Sequence, residues 1–246
     1  MSPSPSKQFQ DVVFEKLRRA FRQEKEIYTA AKWIAESIAS EGWIYTSGTG
    51  HSHMLAEEIF YRAGGFARVI PILDPDLMLH KDASGSTEVE RREGYAEKLF
   101  KSYSLTNKDV FIISSNSGRN SVSIEMAQLA QKKGAKVIAL TNHAHSKAVD
   151  SRHSSGLKLF QVSDIFLDTC GEIGDASIKL EGLESKVGAT STVVGAALLN
   201  AIMVQATAIL LENGTVPEIF NSSNSDNGEA YNDSLIAKYK SQVKIL

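Results

Sequence analysis

Two short stretches of this 246-residue chain gather the residue types that hold a phosphate monoester. The first runs Ser47, Gly48, Thr49, Gly50, His51, Ser52; the second runs Ser114, Ser115, Asn116, Ser117, Gly118, Arg119, Asn120. Each follows an apolar run and precedes a segment of helical periodicity, so each falls where a helix begins. Helix N-termini present unpaired N–H groups and a partial positive charge, which favour an anion. Serine, threonine and asparagine add donors of small bulk. Gly48 and Gly118 allow the backbone to come close to a ligand. Neither turn is a nucleotide loop: no G-K-[ST] follows, and Gly48 and Gly50 lack the third glycine, position 53 being His53. A single turn of this kind reads as ordinary helix capping. Two of them after two buried strands point to a ligand site, with Ser47, Gly48, Thr49, His51, Ser52, Ser115, Asn116, Ser117, Gly118 and Asn120 as its expected lining.

These turns need strands to carry them. Residues 43–47, 66–73, 109–114, 136–140 and 165–167 read as buried strands, the clearest being 109–114. Helical patterns fall at 51–63, 93–103, 121–133 and 189–213. The alternation implies a parallel sheet with helices on both faces. In such sheets ligands sit beyond the carboxyl ends of the strands, at a topological switch point. Residues 7–40 show helical spacing and form an N-terminal helical arm, bounded at residue 33. The main domain spans 34–214, and a tail spans 215–246 with a polar stretch at 221–228. Residues 74–92 read as a long polar connector, and 171–188 as an insertion with short strand character.

Composition excludes several classes of function. Lys and Arg number 27 against 29 Asp and Glu, a net charge of −2, so neither nucleic acid nor an anionic membrane is the expected partner. Cys170 is the sole cysteine, which fits a reducing cytoplasm. The first residues have no apolar core of the secretory kind. Residues 193–211 are almost wholly apolar, but Asn200, Gln205 and Thr207 interrupt them and no basic cluster flanks them. A buried helix at a subunit interface is the expected reading.

Together these segments resemble the SIS (sugar isomerase) domain family over about 34–214. Residues 45–52 with Ala56, Glu57 and Glu58 resemble the family's first strand, turn and helix. Residues 110–120 resemble its Ser-x-Ser-Gly phosphate turn, with 134–142 following. Lys186, Gly188 and Thr190 before the long apolar helix resemble its third segment. The overall pattern is similar to a SIS group labelled phosphoheptose isomerase. The resemblance implies a three-layer, flavodoxin-like α/β fold with a five-stranded parallel sheet. It also implies a homodimer or homotetramer with the site near a subunit boundary, a phosphorylated sugar as ligand, and no cofactor. Two departures stand out: Asn120 replaces a Thr or Ser, and the helix at 189–213 has no histidine where phosphoheptose isomerases carry a catalytic one. Pro75, Ala83, Gly85, Val89, Glu93 and Glu97 instead resemble the matching region of N-acetylmuramic acid 6-phosphate etherases, which eliminate a substituent from C3.

Isomerisation and C3 elimination both begin by removing a proton next to the C1 carbonyl, which requires a base and donors for the developing oxyanion. The resemblance makes Glu58 the expected base, Glu93 the acid on a leaving group, and His80 an imidazole offered across a subunit boundary. Lys186 is expected to approach the ligand. His51 and His53 diverge by about 200° on a helix, so no metal is expected there. A non-catalytic phosphosugar sensor is the alternative of another class.

Overall fold

The computed structural model describes residues 3–223 and 228–246. Five strands form one parallel sheet: β1 (Ile44–Gly48), β2 (Val69–Ile72), β3 (Val110–Ser114), β4 (Lys136–Thr141) and β5 (Ile165–Asp168), in the order β2-β1-β3-β4-β5. The register pairs Gly48 with Ser114, so the ends of β1 and β3 emerge level with each other. This strand order reverses direction between β1 and β3, the expected position for a ligand cleft.

Alternation along each strand separates two cores. Ile44, Val110, Ile112, Ile138 and Leu140 face one layer; Tyr45, Phe111, Ile113, Val137 and Ala139 face the other. The first layer holds α1 (Pro5–Ala20), α2 (Glu24–Ala39), α3 (His53–Glu58) and α8 (Ser191–Glu212); the second holds α5 (Tyr95–Phe100) and α6 (Ser121–Lys132). Shorter helices α4 (Ala83–Val89) and α7 (His143–Ala148) sit near the carboxyl ends of the strands, and α9 (Gly228–Tyr239) packs through Leu235 and Tyr239 against Phe220 and Ala67. A two-stranded antiparallel hairpin, β6 (Ala176–Ile178) and β7 (Val187–Ala189), stands in the 171–188 insertion.

Several boundaries differ from the sequence expectation, each for a local reason. The continuous helix at 7–40 breaks at Phe21–Gln23, where Gln23 exchanges hydrogen bonds with the backbone of Asp168. The arm boundary at residue 33 therefore falls inside α2, whose Ala30, Ala31, Ile34 and Ala35 are core residues. The helix expected at 51–63 is a 3₁₀ turn, Gly50–Ser52, followed by α3 alone, because Tyr61 turns the chain at φ 45°. The polar connector contains α4, started by Asp82, whose carboxylate accepts the Gly85 N–H at 3.0 Å. The polar stretch expected at 221–228 lies largely outside the described residues.

Helix α8 has a mean hydropathy of 2.0 and is long enough to cross a membrane, yet half of its most apolar window is buried. Val194, Leu198, Leu199, Ile202, Ala206 and Leu210 pack against the sheet and α2. It is the central helix of the first layer. Its other face leaves Val193, Val204 and Leu211 exposed.

Candidate functional site

A cleft of about 360 Å³ opens over the carboxyl ends of β1 and β3. One wall is the turn after β1, with Thr49, Gly50, His51 and Ser52; the facing wall is the turn after β3, with Ser115, Asn116, Ser117 and Asn120. Glu90, His145, Asp175 and the start of α8 close the remaining sides. The turn after β3 is tightly built. Ser115 N–H donates to the Leu140 carbonyl at 3.0 Å, and Ser115 Oγ accepts the Gly118 N–H at 3.2 Å. Gly118 sits at φ 57°, the left-handed region that favours glycine. The turn after β1 is equally close, since a Cβ on Gly48 would stand 2.3 Å from the Ser52 carbonyl oxygen.

Of the residues expected to face a ligand, Thr49, His51, Ser52, Ser115, Asn116, Ser117 and Asn120 line the cleft together. Gly48 and Gly118 shape its two turns. Ser47 is fully buried, and its hydroxyl donates to the Ile72 carbonyl at 3.0 Å. Asn116 Oδ1 is buried with no hydrogen-bond partner among the described residues, as is Thr169 Oγ1 in a smaller adjoining cavity. A buried polar atom without a partner is costly, so such atoms mark places that receive a ligand or ordered water.

The three expected catalytic groups, and the expected ligand contact Lys186, lie elsewhere. Glu58 ends α3 and faces α8, where its Oε1 accepts from Asn200 Nδ2 at 2.7 Å and pairs with Arg62. Glu93 is exposed, and its carboxylate accepts the Ser154 N–H at 2.6 Å and hydroxyl at 2.9 Å. The exposed His80 ring stands edge-on to His53, with centroids 6.1 Å apart. Lys186 is exposed beside Glu172 at 3.7 Å. None of the four is among the residues lining the cleft.

Besides His51, three titratable groups that the sequence reading did not single out as catalytic do line it: Glu90, His145 and Asp175. Glu90 follows α4 and projects between the turns. Its Oε2 accepts the Thr49 hydroxyl at 2.5 Å, and its Oε1 accepts Asn120 Nδ2 at 2.7 Å. Asn120 is in turn held by Arg152 Nη1 at 2.9 Å. Burial pushes the Glu90 carboxyl above its ordinary value, against the lowering effects of the Thr49 hydroxyl and of Arg91 and Arg152. On another wall, His145 Nδ1 accepts the Gly174 N–H at 2.6 Å. Burial, with Arg119 nearby, holds the imidazole below its ordinary value, and Asp175 opposes this. A ring that accepts at Nδ1 and resists protonation carries its hydrogen on Nε2. The signal for Glu90 was helical spacing: Ser86, Val89 and Glu90 share one face of the connector helix, and Ser86 is buried.

Asp175 fills the N-terminus of α8. Its Oδ1 accepts the Thr190 and Ser191 N–H groups at 3.1 and 2.9 Å, and its Oδ2 accepts the Ser191 hydroxyl at 2.5 Å. No lysine or arginine is among the described residues that line the cleft.

Comparison with known proteins agrees with this architecture. A family model described as the SIS domain matches residues 8–142. A UPF0309 protein of Halalkalibacterium halodurans is 45% identical over 217 residues, covering 88% of this chain and 90% of that protein. A UPF0309 protein of Shouchella clausii is 41% identical, covering 94% of this chain and 96% of its own length. A phosphoheptose isomerase from Francisella tularensis shares the fold, with a TM-score of 0.55 and 15% identity, covering 84% of this chain and all of that one. The chain belongs to the SIS domain family, within its UPF0309 group.

Proposed function

We propose that this protein is an enzyme that binds a phosphorylated sugar and removes the proton next to its C1 carbonyl. The observation that carries the proposal is the Glu90 carboxylate. It is half-buried at the cleft, raised in pKa by desolvation, and gripped by one residue from each phosphate turn, Thr49 and Asn120. A general base works best when its pKa is drawn toward the operating pH, and burial does this for Glu90. Neutral donors on both oxygens fix its direction without pairing it to a cation. The phosphate rests on the serine-rich turn after β3 and on the turn after β1, held by hydroxyls, amides and the α6 N-terminus. His145 Nε2–H is the donor for the oxygen that becomes negative as the proton leaves.

The resulting enediolate has two fates. Protonation at the neighbouring carbon gives aldose–ketose isomerisation, and loss of a C3 substituent gives elimination. The cleft's charged groups, Glu90 and Asp175, are both acidic, which favours a neutral or amino sugar beyond the phosphate and disfavours a sugar acid. Two copies of the chain associate through the apolar face of α8. A groove of about 720 Å³ lies there beside Phe21, Ile27, Tyr28 and Ala201. The Cys170 thiol, pushed up to about 11 by burial and by Asp168, is suited to a reducing cytoplasm and not to redox chemistry.

The test is proton exchange at C2 in D₂O, followed by NMR, across a panel of sugar phosphates selected by thermal shift. The wild type should wash deuterium into C2 of at least one ligand. Glu90→Gln should bind that ligand and exchange nothing, while Glu58→Gln should still exchange. Mass spectrometry of the product then separates isomerisation, which conserves mass, from elimination. Tight binding without exchange by the wild type would overturn the enzymatic reading in favour of a phosphosugar sensor.

A further inference from the structure

A second cavity, of about 500 Å³, opens at the amino ends of β1 and β3, the opposite edge of the sheet from the cleft. Trp43, Tyr45, Ile70 and Tyr103 line it, together with the exposed Lys108 and Lys244. We propose that this cavity binds a phosphate ester carried on a ring. The ring lies against the aromatic wall, the Tyr45 hydroxyl donates to the ligand, and Lys108 and Lys244 answer its charge.

Tyr45 carries the argument. Only 4% of it is exposed, yet it lines the cavity, and its hydroxyl has no hydrogen-bond partner among the described residues. A tyrosine so deeply buried ordinarily finds a partner for its O–H, and here the cavity is where that partner can stand. Burial, and after it Asp109 and Tyr103, push the phenol above its ordinary value. It therefore keeps its proton and can donate to an anion.

The cavity has a fixed frame. Asp109 Oδ1 accepts the Trp43 N–H at 2.8 Å, and its Oδ2 accepts the Thr106 N–H at 2.6 Å and hydroxyl at 2.9 Å, which ties two walls together. Arg68 covers one face of the Trp43 ring at 5.0 Å, and the Tyr239 ring meets it edge-on at 5.3 Å. The wall formed by the tail is anchored by Val243, which is 1% exposed and packs in the second core layer. A cavity of this size, part aromatic and part polar, suits a small molecule.

Charge selects the class of ligand. Two acids line the cavity, and Asp109 is already held by its three donors, which leaves Glu41 against two lysines. Neither Lys108 nor Lys244 has an ion-pair partner among the described residues. A phosphate monoester, with its charge of about −1.5 to −2, answers two lysines better than a single carboxylate does. Nucleotides and sugar phosphates share this chemistry. No histidine is among the described lining residues, and their one buried carboxylate is the occupied Asp109. The cavity is thus a binding site and not a second centre of reaction, and it stands apart from the chemistry proposed for the cleft.

Trp43 reports on the site directly. The chain has one other tryptophan, so Trp33→Phe leaves Trp43 as the only indole emitter. Its fluorescence would be titrated with adenosine 5′-monophosphate, glucose 6-phosphate and inorganic phosphate; calorimetry on the unmodified chain gives the same constants should Trp33→Phe not fold. At least one of the two esters is expected to shift the signal saturably, and which one does so tells a nucleotide from a sugar phosphate. Tyr45→Phe removes only the hydroxyl and should weaken that binding by roughly tenfold or more, and Lys244→Glu should weaken it as well. Because the hydroxyl has no protein partner, Tyr45→Phe should keep its Tm without ligand, which a hydroxyl of purely structural use would not allow. Ser117→Ala, in the cleft, should leave the Trp43 response intact. Silence with both esters, an equal affinity for inorganic phosphate, a response that Tyr45→Phe leaves unchanged, or one that Ser117→Ala abolishes overturns the proposal, and none of these results bears on Glu90.

Discussion

Replacing Glu90 with glutamine tests the half-buried carboxylate without any knowledge of the sugar. Glutamine matches its shape and its partners: Oε1 can accept from Asn120 Nδ2, and Nε2 can donate to the Thr49 hydroxyl. What changes is charge. The Glu90 carboxyl is raised above its reference value of 4.5, burial being the largest cause. A group whose folded pKa is raised contributes stability that is fully present below its unfolded pKa and is lost as pH rises through the folded one. The wild type therefore loses this contribution as the pH rises from about 4.5 through the raised folded value, and the variant has none to lose.

The size follows from linkage. Each pH unit by which burial displaces Glu90 is worth about 1.4 kcal/mol. For a chain of this length, 1 kcal/mol moves Tm by about 2–4 °C. The difference in Tm, Glu90→Gln minus wild type, should thus widen by roughly 3–6 °C per unit of displacement between about pH 4 and pH 8. Differential scanning fluorimetry across that range reads it directly. The variant becomes the more stable protein at the pH where it has lost turnover, as expected when a functional group is held at a cost to folding. A difference that stays flat with pH, or that narrows as pH rises, would refute the buried-base argument.

Two further outcomes follow from the same geometry. Gly118→Ala places a Cβ at φ 57°, within 3.1 Å of Thr141 Oγ1 and 3.2 Å of Ser146 Oγ and Leu159 Cβ. The left-handed backbone alone costs about 1–2 kcal/mol, so calorimetry should find sugar-phosphate binding weakened by roughly tenfold or more. Val204→Glu puts a charge on the exposed apolar face of α8, where Val204 is 71% exposed. If the proposed association through α8 holds, light scattering should report a dimer for the wild type and a folded monomer for this variant; a variant that stays dimeric would refute that interface.

The sheet was legible because β1, β2 and β3 are buried on both faces. Unbroken apolar runs such as Val110–Ser114 have few other readings, and the turns after β1 and β3 carry small polar residues that no strand or helix interior needs. The short elements were not legible. Helix α4 consists mainly of Ser, Gly and Thr, whose local preferences favour a loop, and it forms under the Asp82 cap while docked beside the Pro75–Leu77 turn. With α4 hidden inside a polar connector, nothing in the sequence singles out Glu90. His145 was hidden differently: its ring is fixed by the Gly174 N–H, 29 residues away in sequence, a contact no spacing rule reports.

The contrast between Glu58 and Glu90 shows what resemblance and geometry each contribute. Glu58 matches a family segment by position, and α3 duly starts from the turn after β1. Yet α3 stops at Glu58, and the side chain turns toward Asn200 and Arg62, where an amide and a cation occupy it. A carboxylate so paired is already satisfied by the protein. Glu90 comes from a segment of ambiguous pattern, but the two turns recognised first reach across the cleft to hold it, one oxygen each. On the proposed reading, the residues of the two turns also point to the base: Thr49 and Asn120 belong to the turns and hold Glu90. The anchor and the chemistry proposed for this chain share residues, so the rigidity that would capture a phosphate is the same rigidity that aims the carboxylate.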